Sequence, residues 1–191
     1  MWIGIFGSMR ETHKTGLAAE LMEGRWGLQR AREFGRRVVG YPAEMKPLMR
    51  AIFSEDAELH KRAADVARRV SDARAEMLWP YADELAGVLA ELPPGESRMR
   101  WHMGLVVSRA AHTREQRLRA ARLMLLLVED ESNVARCSGI EGMGLLASHE
   151  TSLRADAEEM IARALWDGTP AMKARARHAK RRLEKVQRAE P

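Results

Sequence analysis

The feature of this 191-residue sequence that most constrains its fold is an internal repeat. Five segments share one order of residues: an apolar residue, a basic cluster, and then apolar and small residues at helical spacing. They begin at Leu28, Leu59, Met99, Val134 and Met172, at successive offsets of 31, 40, 35 and 38 residues. Offsets of this size are typical of a unit made of two helices and their loops. The sequence therefore predicts five helix pairs, in which each of these segments is the second helix.

An apolar helical stretch precedes each of these segments and supplies the first helix of the pair. The five predicted first helices span 16–23, 42–53, 80–92, 114–129 and 153–166. No run of alternating Val, Ile, Thr and Tyr residues occurs, so the sequence predicts no β-sheet. Because one pair leaves apolar surface exposed until the next pair covers it, we expect an all-α fold, a right-handed α-solenoid of about five antiparallel helix pairs.

Local signals mark where several of these helices begin. Pro42 and Pro80 are each predicted to open a first helix, since proline lacks the N–H group that would be unpaired there. Thr169 is a predicted N-cap with Pro170 at the first helical position, and Thr113 begins a capping-box sequence. These signals place the helix boundaries independently of the repeat.

An acid also precedes a basic residue by six positions in three of the pairs. The three combinations are Asp56 with Arg62, Asp130 with Arg136, and Asp167 with Lys173. An acid in the turn between two helices is suited to an ion pair with the start of the following helix or with a neighbouring pair. The sequence leaves both pairings open.

These features resemble HEAT-repeat and armadillo-like proteins, whose units carry an acid in the turn and a Val-Arg pair opening the second helix. The closest match is Val134-Ala135-Arg136 after Asp130, although one extra residue separates the valine from the arginine. The region from about 55 to 185 is also similar to short bacterial HEAT-repeat proteins. The segments that carry this similarity are 62–65, 100–102 and 168–175. The resemblance implies the solenoid fold and a scaffold or protein-binding role, and it supplies no catalytic residue.

The pattern divides the chain into three parts. Residues 1–14 form a short apolar and then charged leader, interpreted either as disordered or as an artefact of a start site that really lies at Met9. Residues 15–187 form a single solenoid domain, and 188–191 form a tail. The leader is too short for a signal peptide or a membrane span, and a single cysteine fits a reducing compartment. We therefore expect a cytoplasmic protein that does not enter a membrane.

The net charge of +5 is concentrated in the last predicted helix. Residues 171–191 hold eight basic and two acidic side chains, whereas residues 38–170 hold 17 basic and 21 acidic ones. A uniformly basic groove is therefore not expected. The terminal basic helix is either a solvated cap of the end repeat or a surface that binds phosphates.

The sequence offers no clear catalytic or metal-binding motif. No two of the six histidines are spaced as the ligands of zinc peptidases are, so we predict neither a metal site nor a cofactor. Cys137 is interpreted as a small buried apolar residue rather than a reactive thiol. Gly139, Gly142 and Gly144 lie inside a helical pattern, and we interpret them as places where neighbouring helices approach closely.

The best candidate for a binding site is the row of second helices, which lines the concave face in this class of solenoid. Trp101 lies near the start of the middle second helix, where an aromatic ring beside cations is suited to bind a peptide, a base or a phosphate. Trp26, Trp79 and Trp166 are interpreted instead as packing residues at helix ends. The candidate binding residues are Arg30, Arg62, Arg100, Trp101, His102, Arg136, Lys173 and Arg175.

Three functions are compatible with this surface. The first is a non-enzymatic module that binds a partner protein, and we expect the partner to present acidic side chains. The second is nucleic-acid binding or repair, as in the HEAT-like glycosylases for alkylated bases, which the net charge of −4 over residues 38–170 disfavours. The third is a lyase-like or assembly subunit, which no residue supports or excludes. The sequence alone fixes neither the partner nor the oligomeric state.

Overall fold

A computed structural model describes residues 16–189 of the chain, and within that range all regular structure is helical. The ten α-helices of the described range are α1 (Gly16–Met22), α2 (Leu28–Gly40), α3 (Met45–Ile52), α4 (Ala57–Ala73), α5 (Ala82–Glu91), α6 (Ser97–Ala110), α7 (Arg114–Val128), α8 (Asn133–Ala147), α9 (Arg154–Trp166) and α10 (Pro170–Ala189). Short 3-10 turns precede α3, α5 and α9. The all-α prediction is confirmed for these residues, and the predicted leader 1–14 lies outside them.

The even-numbered helices coincide with the five repeated segments. Each begins at most two residues before the apolar residue with which its repeat opens. The predicted capping box is present, since Thr113 Oγ1 accepts from the backbone N–H of Gln116 and the Gln116 side chain accepts from the backbone of Thr113. Thr169 Oγ1 likewise accepts from the backbone N–H of Met172 at the start of α10.

Two details differ from the sequence-based boundaries. Pro80 does not open α5, because it lies within the 3-10 segment Ala75–Tyr81 and the α-helix begins at Ala82. A proline ring fits a tight turn as readily as the first position of an α-helix, so the α-helix begins two residues after the position that the proline predicted. At the other end, α10 continues to Ala189, past the domain end predicted at 187.

The chain divides into two compact units between Ala73 and Arg74. In the first unit α2 packs along α4, whereas α1 packs chiefly against α3 and α4 rather than beside its sequence partner α2. The apolar interior of this unit includes Leu21, Leu48 and Ile52. Arg37 of α2 bridges the carboxylates of Glu20 and Glu44. These hydrogen bonds raise the pKa of the Arg37 guanidinium, and the bond to Glu20 has the larger effect.

The second unit contains three helical hairpins, α5–α6, α7–α8 and α9–α10. The second helices of these hairpins pack side by side, with α8 between α6 and α10, and α5 packs along α7. Met103, Met124, Ile140 and Met143 lie fully buried between them. Burial on both sides explains why α8 is the most apolar of the three second helices.

Candidate binding surface on the second helices

Small residues bring the second helices of the second unit close together. A Cβ atom at Gly144 of α8 would lie 2.6 Å from Cβ of Ala179 in α10, and one at Gly104 of α6 would lie 2.6 Å from Oγ of Ser138 in α8. A Cβ at Gly139 would lie 2.8 Å from the carbonyl oxygen of Met124 in α7. The predicted packing role of the α8 glycines is confirmed, and the side chains that flank these contacts are held on adjoining helices.

Two of the eight predicted binding residues lie in the first unit and are engaged within it. Arg30 Nη2 donates to the carbonyl oxygen of Glu20 at 2.8 Å, and Arg62 Nη1 donates to that of Leu21 at 2.8 Å. These carbonyls belong to the last turn of α1, where no intrahelical partner is available. Arg62 also stacks on Trp26, 5.5 Å from the ring centre. Both arginines therefore stabilise the end of α1.

Arg100 is engaged in a buried ion pair between hairpins. Its Nε donates to Asp130 Oδ2 at 2.5 Å and its Nη1 donates to the carbonyl oxygen of Leu92 at 2.7 Å. The Asp130 side chain is 1% exposed, and its other oxygen accepts from the backbone N–H of Ser132. The sequence left two partners open for Asp130, one in its own helix pair and one in a neighbouring pair. The structure shows the pairing with the neighbouring hairpin, and Asp130 does not pair with Arg136.

The other two predicted pairings are wrong. Asp56 Oδ1 accepts from the backbone N–H groups of Glu58 and Leu59 and so caps α4, while Arg62 pairs with Glu58. Asp167 and Lys173 form no ion pair in the described part of the chain. An acid just before a helix is better placed to accept from the free N–H groups of its first turn than to reach a side chain six residues on.

The predicted cluster of Trp101 with its neighbours does not form one exposed surface. Its indole stacks on the ring of His102, with the ring centres 4.4 Å apart. His102 is only 1% exposed and faces the interior, whereas Trp101 is half-buried. With His102 buried and Arg100 bound to Asp130, these neighbours do not extend an accessible surface around Trp101.

The remaining three predicted residues lie on α8 and α10. Arg136 and Lys173 are half-buried, and the Arg136 Nε is enclosed without a hydrogen-bond partner. Arg136 borders a small depression whose lining also includes Met160 and Arg163 of α9 and Thr169 and Met172 at the start of α10. Arg175 is half-exposed, and its Nη1 donates to Glu141 Oε2 of α8 at 3.1 Å.

Glu141 is the centre of a charge cluster that the sequence analysis missed. Its carboxylate also lies 3.7 Å from Nη2 of Arg109 on α6 and attracts Arg182 on α10. We call Arg109, Glu141, Arg175 and Arg182 the Glu141 cluster. Burial lowers the pKa of the Arg109 and Arg182 guanidinium groups, Glu141 opposes that shift in both, and Arg109 and Arg182 repel each other.

The Glu141 cluster carries more positive than negative charge. Arginine remains protonated even when its pKa is lowered, so two guanidinium groups contact one carboxylate and the charge of a third, Arg182, also acts on it. Glu141 and Arg175 are 34 residues apart, which is about the length of one repeat. This spacing was the one signal in the sequence that could have indicated their contact. Arg182 had no such signal, because it comes two helical turns after Arg175 on the same helix.

The rest of α10 presents an exposed basic face. Arg177, Lys180, Arg181 and Lys185 are exposed, and none of them pairs with an acid among residues 16–189. Gln187 is joined to Glu158 of α9 by a hydrogen bond of 3.1 Å. The predicted concentration of positive charge at the end of the chain is therefore solvent-accessible along α10.

Cys137 and the helix-end tryptophans lie partly as predicted. Cys137 is buried, and burial raises the pKa of its thiol against the opposing charges of Arg175 and Arg136. Trp26 packs on Phe34 with ring centres 6.0 Å apart, which agrees with its predicted packing role. Trp166 is 86% exposed, so its predicted packing role is wrong. It is the last residue of α9, where its side chain projects into solvent.

Within the described residues, no group of three or more His, Cys, Asp and Glu side chains is arranged to hold a metal ion. Helices of that same range include none with the length and apolarity that a membrane crossing requires. Comparison of the chain with protein-family models, with curated proteins and with solved structures finds no match. The arrangement of the side chains therefore provides the basis for a functional proposal.

Proposed function

We propose that the helix pairs form a right-handed α-solenoid of the HEAT type. Support comes from the three hairpins of the second unit, whose second helices α6, α8 and α10 pack in sequence order. Arg100 and Asp130 also join successive hairpins, as the acid–base ladders of HEAT-repeat proteins do. An experimental structure in which these helices close around a single central axis would contradict this proposal.

We further propose that the protein is a non-enzymatic interaction module that binds an acidic segment of a partner protein in the cytoplasm. The observation that carries this proposal is the Glu141 cluster, where Arg109 and Arg175 contact one carboxylate and Arg182 adds a third positive charge. The forked donors of arginine fit carboxylates in bidentate geometry, and partial burial strengthens such contacts relative to those on an open surface. A further carboxylate from a partner would offset the excess charge.

The residues proposed to bind are a revised set of those predicted from the sequence. Arg30, Arg62 and Arg100 hold the fold together through backbone carbonyls and Asp130, so their donors are engaged. The proposed surface is formed by the arginines of the Glu141 cluster, and Arg136 and Lys173 lie on the same helices, α8 and α10. Because these side chains lie on packed helices, binding would order little additional backbone.

Arg175→Glu tests this proposal, since Arg175 is half-exposed and the change reverses its charge beside Glu141. Tagged wild-type protein and the variant would be used to capture partners from cytoplasmic extract at low and moderate salt. We expect a partner that the wild type retains, that Arg175→Glu loses, and that salt weakens.

The matched control is Arg122→Glu, an exposed position on α7 with no ion pair in the described range. It changes the net charge equally and should retain the partner. Circular dichroism would establish that both variants are folded. Equal capture by the wild type and Arg175→Glu would contradict the proposal.

Nucleic-acid binding is the alternative, and the exposed basic face of α10 favours it. Cations that lack ion-pair partners bind phosphates with the release of counterions, so affinity should fall steeply with salt. A mobility-shift titration separates the two functions. Absence of a shift at low salt removes the alternative, whereas a salt-sensitive shift lost in Lys180→Glu/Arg181→Glu would favour it over the protein partner.

A further inference from the structure

An open pocket of about 570 Å³ lies at the ends of α6 and α8 in the second unit. This volume falls within the range of pockets that hold small organic ligands. The 3-10 segment before α5 contributes Trp79 to the pocket, the loop after α6 contributes His112, and α7 contributes Arg117. None of the eight residues predicted from the sequence belongs to it.

Two aromatic rings form one wall of the pocket. Trp79 and His112 are stacked, with ring centres 5.0 Å apart and planes inclined by 15°. Trp79 is 43% exposed, so much of a large flat apolar ring remains open to solvent. An exposed indole beside a cavity is suited to stack on a further planar ring.

The position of His112 is fixed by local hydrogen bonds. Arg117 Nη1 donates to the carbonyl oxygen of His112 at 2.6 Å, and the backbone N–H of His112 donates to the side chain of Gln116. Gln116 in turn belongs to the capping box at the start of α7. The backbone that carries one ring of the wall is therefore held in place before any ligand binds, which lowers the entropic cost of binding.

The polar lining of the pocket is cationic or neutral. Arg109, Arg117 and His149 border it together with Ser108, and none of the described residues that line it is a carboxylate. Both arginines contact acids that are not part of the lining: Glu141 is 3.7 Å from Nη2 of Arg109, and Glu150 is 3.8 Å from Nη2 of Arg117. The Nε of Arg117 is enclosed and has no hydrogen-bond partner among the described residues, so this guanidinium is not fully paired there.

We propose that this pocket binds a nucleotide, with the base stacked on Trp79 and the phosphate held by Arg109 and Arg117. A nucleoside monophosphate combines the two features that the lining requires, a flat ring and an anion that accepts forked arginine donors. The same chemistry could come from a free nucleotide or from one nucleotide of a single strand. This site is separate from the Glu141 surface except for Arg109, and it does not depend on the proposed protein partner.

Isothermal titration of the full chain tests the site with adenosine monophosphate, whose purine gives a large stacking surface. Because stacking and phosphate contacts act together, adenosine alone and inorganic phosphate alone should each bind about tenfold more weakly or worse. A short single-stranded oligonucleotide distinguishes the sources. Tighter binding of the strand than of the monophosphate would assign the site to nucleic acid, and the reverse to a free nucleotide.

Trp79→Leu supplies the decisive variant, with Trp166→Leu as its control. Loss of the stacking ring should weaken binding of the monophosphate by about tenfold or more, and Trp79→Phe should recover part of it. Trp166 is 86% exposed and lies outside the pocket, so Trp166→Leu should bind as the wild type does. The proposal is overturned if the wild type does not bind the monophosphate, if phosphate alone binds equally well, or if both tryptophan variants behave alike.

Discussion

At the residue scale, the arginines of this protein divide into those that complete the fold and those that face solvent. Arg62 and Arg100 donate to backbone carbonyls and to carboxylates within a few ångströms, and their side chains are largely buried. On α10 the exposed basic residues are Arg175, Arg177, Lys180, Arg181, Lys185 and Arg188, whereas Arg182 is half-buried. A basic residue at the start of a second helix therefore has a structural role at some repeats and an accessible charge at others.

The ion pair of Arg100 with Asp130 makes a stability prediction. Arg100→Met keeps much of the side-chain volume but leaves a carboxylate that is 1% exposed without its cation. Breaking a buried ion pair by removing one partner costs about 3–5 kcal/mol, so the free energy of unfolding should fall by that order. Urea titration followed by circular dichroism measures the change.

Two further variants separate the ion pair from a general effect of losing an arginine. Arg122→Met removes an exposed arginine from α7 and should change the unfolding free energy by less than about 0.5 kcal/mol. Arg100→Met/Asp130→Asn removes both charges, and the new amide keeps an oxygen for the backbone N–H of Ser132, so much of the loss should be recovered. An Arg100→Met protein as stable as the wild type would contradict the structural role of this pair.

Sequence reasoning could find these residues but could not assign their partners. Arg100 and Asp130 are 30 residues apart, and the register of two hairpins decides that they meet. The same holds for Arg30 and Arg62, whose partners are backbone carbonyls at the end of α1. Every residue has a backbone carbonyl, so the residue types do not indicate these contacts. The sequence left the partner of Asp130 open between its own pair and a neighbouring one, and the structure pairs it with Arg100 of the preceding hairpin.

At the element scale, the helices themselves were predictable because several local signals agree. Apolar periodicity, proline punctuation and the caps at Thr113 and Thr169 all favour the observed helices. The packing of α1 was not predictable, because the link between α1 and α2 contains Gly24 at φ +60° and does not form a tight hairpin. A glycine in this left-handed region redirects the chain in a way that helical spacing does not encode.

The close contact of α8 with α10 makes a prediction in which helix propensity and packing oppose each other. Alanine is the better helix former, but a Cβ at Gly144 would lie 2.6 Å from Cβ and 3.2 Å from Cα of Ala179. Because a backbone atom cannot move aside cheaply, Gly144→Ala should destabilise the protein by about 1–3 kcal/mol. Thermal and urea unfolding measure the effect.

Gly87 of α5 supplies the matched control for this substitution. Nothing lies within 4 Å of a Cβ atom built there, so Gly87→Ala should gain the full difference in helix propensity. The expected gain is about 0.5–1 kcal/mol. If Gly144→Ala were stabilising to the same extent as Gly87→Ala, the close approach of α8 and α10 would be wrong.

At the scale of the whole molecule, the sequence composition predicted where the excess positive charge lies but not which acids the basic residues pair with. The excess of basic residues in 171–191 is visible in the sequence, and α10 does expose it. The Glu141 cluster and the Trp79 pocket each combine residues from three or more separate segments, so they follow from the packing of the second unit. No local motif identifies such sites, and this is why the predicted and observed candidate residues overlap only in part.

Site-specific photo-crosslinking tests most directly the central claim that the second helices of the second unit form the binding surface. A photoreactive residue would replace His178, exposed on α10 one turn from Arg175, or Ala155, exposed on the first helix α9 of the same hairpin. We expect the captured partner to crosslink through position 178 and not through position 155. Crosslinking from position 155 alone, or equally from both, would contradict the account.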